Sequence, residues 1–237
     1  MRGFWVRGWL RYVEEVGKTM RLVFLGAPGV GKGTQADKAA AHYGICKIST
    51  GDLLRGAVRN QTALGLEAKG HMDRGGLVPD SVVIGLVREK LADPSNASGF
   101  ILDGFPRTVP QAEALAKVLN EQGLHLDRVI NFEVSREEIV RRLSGRRSCP
   151  KCQATYHVNF APSKMGSACE RCGEGLTQRS DDQREAIEMR LRVYEEQTSP
   201  LISFYEKQHV LSHLNGAETV DTVSQNLLQM LATYQTA

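Results

Sequence analysis

The glycine-rich stretch at residues 26–34, GAPGVGKGT, constrains the fold of this chain more than any other segment. A short apolar run, RLVFL, precedes it, and helix-forming residues follow it. Glycines lack a Cβ, so the backbone N–H groups of such a loop can converge on phosphate oxygens, and the helix N-terminus adds partial positive charge. Lys32 adds a full charge, and Thr34 is placed to help hold Mg²⁺ or its water shell, although Gly33 separates it from the lysine. The segment therefore predicts a phosphate-binding loop (P-loop) between a strand and a helix.

The rest of the chain alternates short apolar runs with helical stretches, which predicts an α/β fold in three layers, with a parallel sheet between helices. The predicted strands cover residues 21–25, 45–48, 99–102, 129–134 and 210–214. The predicted helices cover residues 32–43, 51–60, 64–74, 82–91, 111–121, 136–143, 181–194, a stretch ending near 205, and 222–233. Between residues 144 and 179 glycine, proline, cysteine and polar residues replace the apolar periodicity, so a small inserted lobe is expected there.

Two of the predicted helices begin with capping signals. Ser49 stands three residues before Asp52, a spacing typical of a helix start. Pro79 interrupts the chain before the helix at 82–91, so Asp80 or Ser81 is expected to cap that helix.

Composition bounds the classes of function. The 237 residues suit one core with small movable lobes, and 41% hydrophobic and 24% charged residues are ordinary for a globular protein. The net charge of +3 is too small to argue for nucleic acid or membrane binding, and no apolar run approaches the ~18 residues of a membrane span. Arginines interrupt the apolar residues of the first 19, and Glu14 and Glu15 follow, which argues against a secretory or transit signal. A dispensable N-terminal extension is expected, with a targeting segment or an added functional arm as the alternatives.

Four of the five cysteines form two close pairs with sixteen residues between them. The paired cysteines are Cys149, Cys152, Cys169 and Cys172. This spacing is typical of a zinc ribbon, in which four thiolates bind one structural Zn²⁺. The alternatives are two disulfides, four free thiols, or His157 in place of one cysteine as a ligand. The fifth, Cys46, is expected to be a small buried residue.

Five short segments together resemble the adenylate kinases, a family of nucleoside monophosphate kinases. They read GAPGVGKGTQA from residue 26, STGDLLR at 49–55, DGFPRT at 103–108, GRR at 145–147 and RSDDQ at 179–183. Each segment is weak alone, but all occur in the order and spacing of that family. The resemblance runs from about residue 20 to the C-terminus, and it makes the glycine after the loop lysine normal.

The resemblance implies reversible transfer of the terminal phosphoryl group of ATP to AMP, giving two ADP, with Mg²⁺ on ATP and Zn²⁺ in the lid. It implies a core at residues 20–237, with an NMP-binding lobe at 49–78 and a zinc-ribbon-like lid at 145–182. It also implies a cytoplasmic monomer that acts on ATP, AMP and ADP, with no nucleic acid or membrane partner. Clustered arginines fit this reaction, because its strongly charged transition state needs positioning and charge stabilisation rather than a general base.

The resemblance also assigns roles to individual residues. The expected catalytic residues are Lys32, Arg107, Arg142, Arg146, Arg179 and Arg190. The expected ATP-binding residues are Gly29, Val30, Gly31, Lys32, Gly33, Thr34, Arg146, Thr155, Tyr156 and Glu218. The expected AMP-binding residues are Thr50, Arg55, Gly76, Leu77, Val78, Gly104, Phe105, Pro106, Arg107, Gln111, Arg179 and Arg190. Those expected beside Mg²⁺ are Thr34 and Asp103, and those expected to hold the lid arginines are Asp181 and Asp182.

Helical geometry adds one expectation for the lid arginines. Arg179 and Arg190 are eleven residues apart, about three helical turns, so they share one face if the helix between them is continuous.

Two other kinds of function stay open at this point. A UMP/CMP kinase or a GTP-using AMP kinase would keep the chemistry, and Thr50 and Gln111 favour AMP by resemblance alone. A nucleic-acid-binding zinc-ribbon protein switched by ATP would also carry a phosphate loop and many arginines. The arginines argue against that function, because they fall at motif positions around one phosphate site rather than along a basic stripe.

Overall fold

The structure, a computed structural model, describes residues 19–235. The strands in this part of the chain are β1 Met20–Leu25, β2 Cys46–Ser49, β3 Gly99–Asp103, β4 Arg128–Glu133, β5 Arg146–Ser148, β6 Thr155–His157 and β7 Leu211–Asn215. The α-helices are α1 Lys32–Tyr43, α2 Thr50–Arg59, α3 Ala63–Asp73, α4 Asp80–Leu91, α5 Val109–Glu121, α6 Arg136–Ser144, α7 Arg184–Val193, α8 Pro200–Glu206 and α9 Val220–Gln235. Shorter turns are the 3₁₀ segments Pro94–Asn96 and Ser180–Asp182 and the π-helical segment Tyr194–Thr198. The predicted extension at residues 1–19 lies, apart from Thr19, outside the described residues.

A five-stranded parallel sheet in the order β2-β3-β1-β4-β7 forms the middle layer. In the central strand, Val23 lies opposite Leu102 of β3 on one side and opposite Val129 of β4 on the other. All three side chains are fully buried, as expected of strands covered on both faces. Because the strands are parallel, their carboxyl ends share one edge of the sheet, where the loops after β1 and β3 meet. The predicted α/β fold with a parallel sheet is confirmed.

Alternate side chains of β1 point into two hydrophobic clusters, one on each face of the sheet. Leu22 and Phe24 pack in a cluster with α1, α6, α7 and α9. Val23 and Leu25 pack in a cluster with α2, α3, α4, α5 and α8. Helices therefore cover both faces, which gives the three layers predicted.

Two predictions about β2 had different outcomes. Ser49 caps α2 as predicted, since its Oγ accepts a hydrogen bond from the backbone N–H of Asp52 at 3.3 Å. The prediction that Cys46 is buried was wrong. Its side chain is only partly buried, and its Sγ lies 3.4 Å from the carbonyl oxygen of Ser95.

The prediction that Asp80 or Ser81 caps α4 was also wrong. Pro79 occupies the cap position, and no side chain caps the helix. The carboxylate of Asp80 instead accepts hydrogen bonds from Thr108 Oγ1 at 2.8 Å and Gln111 Nε2 at 2.7 Å. Asp80 thus ties the start of α4 to the start of α5, a contact between segments that are distant in sequence.

The helix predicted over residues 181–194 is not continuous. The 3₁₀ turn Ser180–Asp182 ends at Gln183, whose backbone is extended, and α7 begins after it. Asp182 is buried and accepts two hydrogen bonds from Arg146, so the chain turns inward at this point. Arg179 and Arg190 consequently do not share a helix face, and tertiary folding brings them to the same cleft instead.

The inserted lobe contains the short antiparallel pair β5 and β6 and few buried apolar side chains. Its buried cluster consists of Cys149, Ala154 and Cys169, with Tyr156 and Leu176 partly buried against it. Such a cluster is too small to stabilise a lobe of this size by hydrophobic burial alone. Among the described residues, no helix has the length and apolar character needed to cross a membrane.

Candidate active site

The glycine-rich loop connects β1 to α1 in a conformation that needs glycine. Gly26, Gly29 and Gly31 have φ angles of 137°, 86° and 102°. A Cβ at Gly26 would lie 2.6 Å from the carbonyl oxygen of Phe132, and one at Gly29 would lie 2.7 Å from Cγ of Leu143. No side chain caps α1 at Gly31, so the first N–H groups of the helix are available to an anion.

The side chain of Lys32 folds back over this loop. Its Nζ donates hydrogen bonds to the carbonyl oxygens of Gly26 at 2.6 Å and Ala27 at 2.8 Å. Burial lowers the pKa of Lys32 to about 8, and nearby Asp103 raises it while Arg107 and other arginines lower it further. The ammonium group is therefore poised beside the loop in an environment that favours an added negative charge.

A cleft of about 1180 Å³ opens above the loop. All the residues predicted to bind ATP line it, as do the predicted catalytic residues and the two residues expected beside Mg²⁺. Several of them lie on the inserted lobe, including Arg146, Thr155 and Tyr156. The structure thus brings the phosphate loop and the lobe to two sides of one cleft.

Carboxylates orient two of the cleft arginines. Arg146 donates to Asp182 through Nε at 2.7 Å and Nη2 at 2.5 Å. Arg190 donates from Nη1 to Asp182 Oδ1 at 3.1 Å and lies 3.2 Å from Oδ2 of Asp181. The pKa of Asp181 is lowered despite the opposing effect of burial, because Arg190 and neighbouring arginines surround it. The bidentate pairing of Arg146 with Asp182 fixes the plane of its guanidinium group.

Two further arginines are held by neutral groups and carry unusual pKa values. Arg107 donates from Nε to the carbonyl oxygen of Gly104 at 2.8 Å, and burial lowers its pKa to about 10. Arg179 donates from Nε to Ser148 Oγ at 2.8 Å, and burial lowers its pKa to about 9. Nearby arginines contribute to both shifts, so these side chains form a concentrated patch of positive charge.

Arg142 differs from the other predicted catalytic arginines, because its guanidinium group donates to three backbone carbonyl oxygens. It donates to the carbonyl oxygens of Val30 at 3.3 Å, Gly216 at 2.9 Å and Ala217 at 3.2 Å. Glu138 accepts from its Nε at 2.7 Å. Arg142 therefore joins the phosphate loop to the loop after β7, at the rim of the cleft.

A second, smaller pocket of about 70 Å³ adjoins the large cleft. The residues predicted to bind AMP that line it are Thr50, Arg55, Gly76, Leu77, Val78, Gly104, Arg107, Gln111 and Arg190. The predicted AMP residues Pro106 and Arg179 line the larger cleft instead. Phe105 lines neither pocket, because its side chain is buried in the cluster on one face of the sheet.

Hydrogen bonds within the smaller pocket fix its polar side chains. Thr50 Oγ1 donates to the carbonyl oxygen of Gly104 at 2.8 Å. Gln111 accepts at Oε1 from the backbone N–H of Arg107 at 2.8 Å, while its Nε2 donates to Asp80. Asp52 accepts from Arg55 Nη2 at 2.6 Å. The pKa of Asp52 is lowered by Arg55 despite partial burial.

Sequence reasoning missed three polar residues at this site. Asp80 orients Gln111, and nothing in the local sequence indicates that contact. Lys47 lines the cleft and donates to Asp37 at 2.9 Å, and a lysine inside a predicted strand was the available signal. Glu138 orients Arg142, and their spacing of four residues on a helix was the signal.

The four paired cysteines lie together in the inserted lobe. Their sulfur atoms are all within 4.8 Å of one another, and Cys149–Cys172 and Cys152–Cys169 are each separated by 3.4 Å. No disulfide joins these cysteines, so the alternative of two disulfides is wrong, since a disulfide would need an S–S distance of about 2.05 Å. The described residues contain no other cluster of possible metal-binding side chains.

His157, the alternative ligand, lies outside this cluster. Its Nδ1 accepts hydrogen bonds from the backbone N–H groups of Asn159 at 3.0 Å and Phe160 at 3.1 Å, and its ring stacks on Phe160.

A parallel sheet that holds a phosphate loop at its carboxyl edge and opens two joined pockets there is the architecture of a P-loop nucleotide kinase. A sequence model described as adenylate kinase matches residues 24–210 of this chain. The adenylate kinase of Carboxydothermus hydrogenoformans is 54% identical over 204 residues, which cover 86% of this chain and 95% of that protein. The adenylate kinase of Methanothrix thermoacetophila is 49% identical over 216 residues, which cover 91% of this chain and 100% of that protein. The chain belongs to the adenylate kinase family and is an ATP:AMP phosphotransferase.

Proposed function

We propose that this chain binds ATP with its phosphates on the glycine-rich loop and AMP in the smaller pocket. The terminal phosphoryl group of ATP passes to the AMP phosphate, giving two ADP. The observation that supports this arrangement is that Arg107 and Arg190 line both pockets. Two arginines shared by two pockets are suited to phosphates that approach each other from opposite sides.

Catalysis in this proposal is positioning and charge stabilisation. Lys32 and the arginines at 107, 146, 179 and 190 surround the place where charge develops on the transferred group, and no general base is needed. Arg142 acts at the rim, where its contacts with the loop after β7 hold the outer end of the ATP cleft. Closure of the inserted lobe over the cleft would exclude water that otherwise hydrolyses ATP.

The remaining assignments follow the two pockets. For ATP we propose the loop residues Gly29, Val30, Gly31, Gly33 and Thr34, with Thr155, Tyr156 and Glu218 toward the nucleoside end. For AMP we propose Thr50, Arg55, Gly104 and Gln111, the segment Gly76, Leu77 and Val78, and the backbone at Phe105 and Pro106. The lobe at residues 49–78 and the lid at 145–182 are the movable parts of this proposal.

Mg²⁺ would reach the site with ATP, and two side chains fit it. Thr34 and Asp103 offer hydroxyl and carboxylate oxygens, the donors that this ion prefers. Thr34 follows Gly33 in α1, and Asp103 at the end of β3 lies beside that turn of the helix, since a Cβ on Gly33 would be 3.2 Å from Asp103 Oδ2. When bound, the ion neutralises charge on the transferred phosphate.

The four cysteines fit a structural Zn²⁺ ion. Tetrahedral zinc with Zn–S bonds of about 2.3 Å separates the sulfurs by about 3.8 Å, close to the separations in this cluster. The backbone N–H of Cys152 also points to the sulfur of Cys149 at 3.4 Å, which favours a thiolate there. Zinc would supply the stability that the small apolar cluster of this lobe lacks, and a closed four-thiolate site leaves no position for catalysis.

We also propose that the chain acts as a cytoplasmic monomer in nucleotide biosynthesis, with ATP, AMP and ADP as its partners. Support for the absence of nucleic acid or membrane partners is the low net charge of +3 and the position of the arginines around one cleft.

The experiment that tests the reaction is phosphorus NMR of the purified protein with Mg²⁺ and ADP alone. Equal amounts of ATP and AMP are expected, and their absence from a zinc-loaded sample would overturn the proposal. Competition among AMP, UMP and CMP as acceptors, and between ATP and GTP as donors, then tests the choice of substrates. Preference for a pyrimidine acceptor or for GTP would contradict the assignment of the two pockets.

A further inference from the structure

Tyr156 makes a contact that the proposed reaction does not use. Its hydroxyl oxygen lies 3.5 Å from the sulfur of Cys169 and accepts a hydrogen bond from the backbone N–H of Glu170 at 3.0 Å. Because that N–H already donates to the oxygen, the hydroxyl hydrogen is free to point at the sulfur. The tyrosine is thus a donor to one of the four proposed metal ligands.

The same side chain lines the large cleft. Tyr156 lies in the middle of β6, opposite Arg147 of β5, and its ring packs against the cluster of Cys149, Ala154 and Cys169. One residue therefore touches both the sulfur cluster and the space proposed for ATP. A hydrogen-bond partner of this kind orients a metal ligand, so displacement of the partner changes the affinity of the site for the metal.

A second path joins the two sites at the phosphate end. Ser148 directly precedes Cys149, and its Oγ accepts from Arg179 Nε at 2.8 Å. Its backbone N–H also donates to the carbonyl oxygen of Thr177 at 2.8 Å. A group that pulls on Arg179 or Tyr156 from the cleft therefore acts on residues bonded to, or next to, cysteines of the cluster.

We propose that Tyr156 is a positioning residue that couples the metal in the cysteine cluster to binding of the donor nucleotide. Nucleotide in the cleft holds Tyr156 against Cys169, which raises the affinity of the cluster for the metal and slows metal release. Loss of the metal weakens nucleotide binding by the factor by which nucleotide raises the metal affinity, since coupling between two equilibrium binding sites is reciprocal. This inference rests on the zinc site and the ATP cleft of the proposed function.

The test measures zinc release from the full chain into excess chromogenic chelator. It is run with and without the non-hydrolysable β,γ-imido analogue of ATP with Mg²⁺. For the unmodified protein the analogue is expected to slow release about 5-fold or more. Tyr156→Phe keeps the ring and removes the hydroxyl, so release without nucleotide should be about 10-fold faster and the effect of the analogue should be lost.

Tyr234→Phe is the matched control. Tyr234 also loses a hydroxyl contact, with Ser212 Oγ at 2.9 Å, but it lies on α9 and lines neither pocket. This variant should release zinc like the unmodified protein. Equal protection by the analogue in Tyr156→Phe and the unmodified protein would overturn the inference.

A spectroscopic measurement on the unmodified protein keeps the inference testable if Tyr156→Phe does not fold. In protein loaded with Co²⁺, the thiolate-to-cobalt absorption should shift when the analogue is added, and an unchanged spectrum with unchanged release would contradict coupling. These measurements distinguish a failure of the proposed function from a failure of the coupling alone. A chain that binds no zinc or makes no ATP from ADP overturns both, whereas a zinc-loaded, active chain whose release ignores nucleotide overturns the coupling alone.

Discussion

At the scale of single residues, the cleft brings together partly buried cations that outnumber the carboxylates between them. Burial is the largest cause of the lowered pKa values of Lys32, Arg107 and Arg179, and neighbouring arginines add to each. Burying like charges together opposes folding, and it is favourable only where an anion completes the site. The polyphosphate of a nucleotide is such an anion, so these residues are arranged for binding rather than for stability.

The pKa of Lys32, about 8, predicts how nucleotide affinity depends on pH. The folded value lies below the ordinary 10.5, so Lys32 loses its charge as pH rises through about 8, and the phosphates lose a partner. The dissociation constant for ATP is therefore expected to rise about tenfold per pH unit above 8, measured by calorimetry from pH 6.5 to 9.5. Lys32→Arg keeps its charge over this range and serves as the control.

The protonation of Lys32 should also affect the free energy of unfolding, which is expected to rise with pH while the affinity for ATP falls. Between about pH 8 and 10.5 the unfolded chain holds the proton of Lys32 more tightly than the folded chain, so this group makes folding more favourable as pH rises. An affinity for ATP that is flat through pH 8 in the unmodified protein would contradict the assignment of Lys32 to the phosphates.

At the scale of elements, the segment between the inserted lobe and α7 orients the guanidinium groups of the cleft arginines. Asp182 is buried in the 3₁₀ turn before α7, where it pairs with Arg146 of β5 and Arg190 of α7. One carboxylate thus orients guanidinium groups from two elements. The break in the predicted helix is what allows this, because a continuous helix would not bend inward at that residue.

Asp182→Asn tests this arrangement. The amide keeps the shape but removes the charge that two largely buried arginines share, so unfolding free energy is expected to fall by about 3 kcal/mol in urea titrations. Misplaced arginines should also lower kcat by about 100-fold. Asp93→Asn is the control, because Asp93 caps an exposed turn where asparagine serves as well. Equal stability of the two variants would refute the role given to Asp182.

At the scale of the whole molecule, the two proposed movable lobes touch each other across the cleft. Ser180 Oγ donates to Asp73 Oδ1 of α3 at 2.7 Å, and Arg59 of α2 donates from Nη1 to the carbonyl oxygen of Pro150 at 3.1 Å. Both contacts are exposed, so each contributes little stability. In the proposed opening and closing of the lobes, these contacts favour the closed arrangement, and small energies suffice to shift such an equilibrium.

The double variant Arg59→Met with Ser180→Ala is expected to favour the open arrangement. KM for ATP and AMP should rise about threefold while kcat does not fall, because opening releases product. Steady-state kinetics in both substrates measures this split. Arg88→Met, which removes an exposed arginine on α4, should change neither constant. A fall in kcat at constant KM would show that these contacts serve the chemical step rather than closure.

The sequence by itself determined the features that depend on local chemistry. The apolar runs located the five strands of the parallel sheet to within one residue at each end. The signal is strongest in the central strands β1, β3 and β4, which are buried on both faces and therefore apolar along most of their length. The phosphate loop was evident because only glycine tolerates its backbone, and the cysteine cluster was evident because paired spacing brings thiolates together.

Tertiary structure decided the partners of the polar side chains. Asp80 accepts a hydrogen bond from Gln111, and Asp182 accepts from both Arg146 and Arg190. Arg142 donates to backbone carbonyl groups. No local pattern contains these contacts, because each joins segments that meet only when the sheet and its helices have packed. A buried charge takes its role from what surrounds it, and its surroundings exist only in the folded chain.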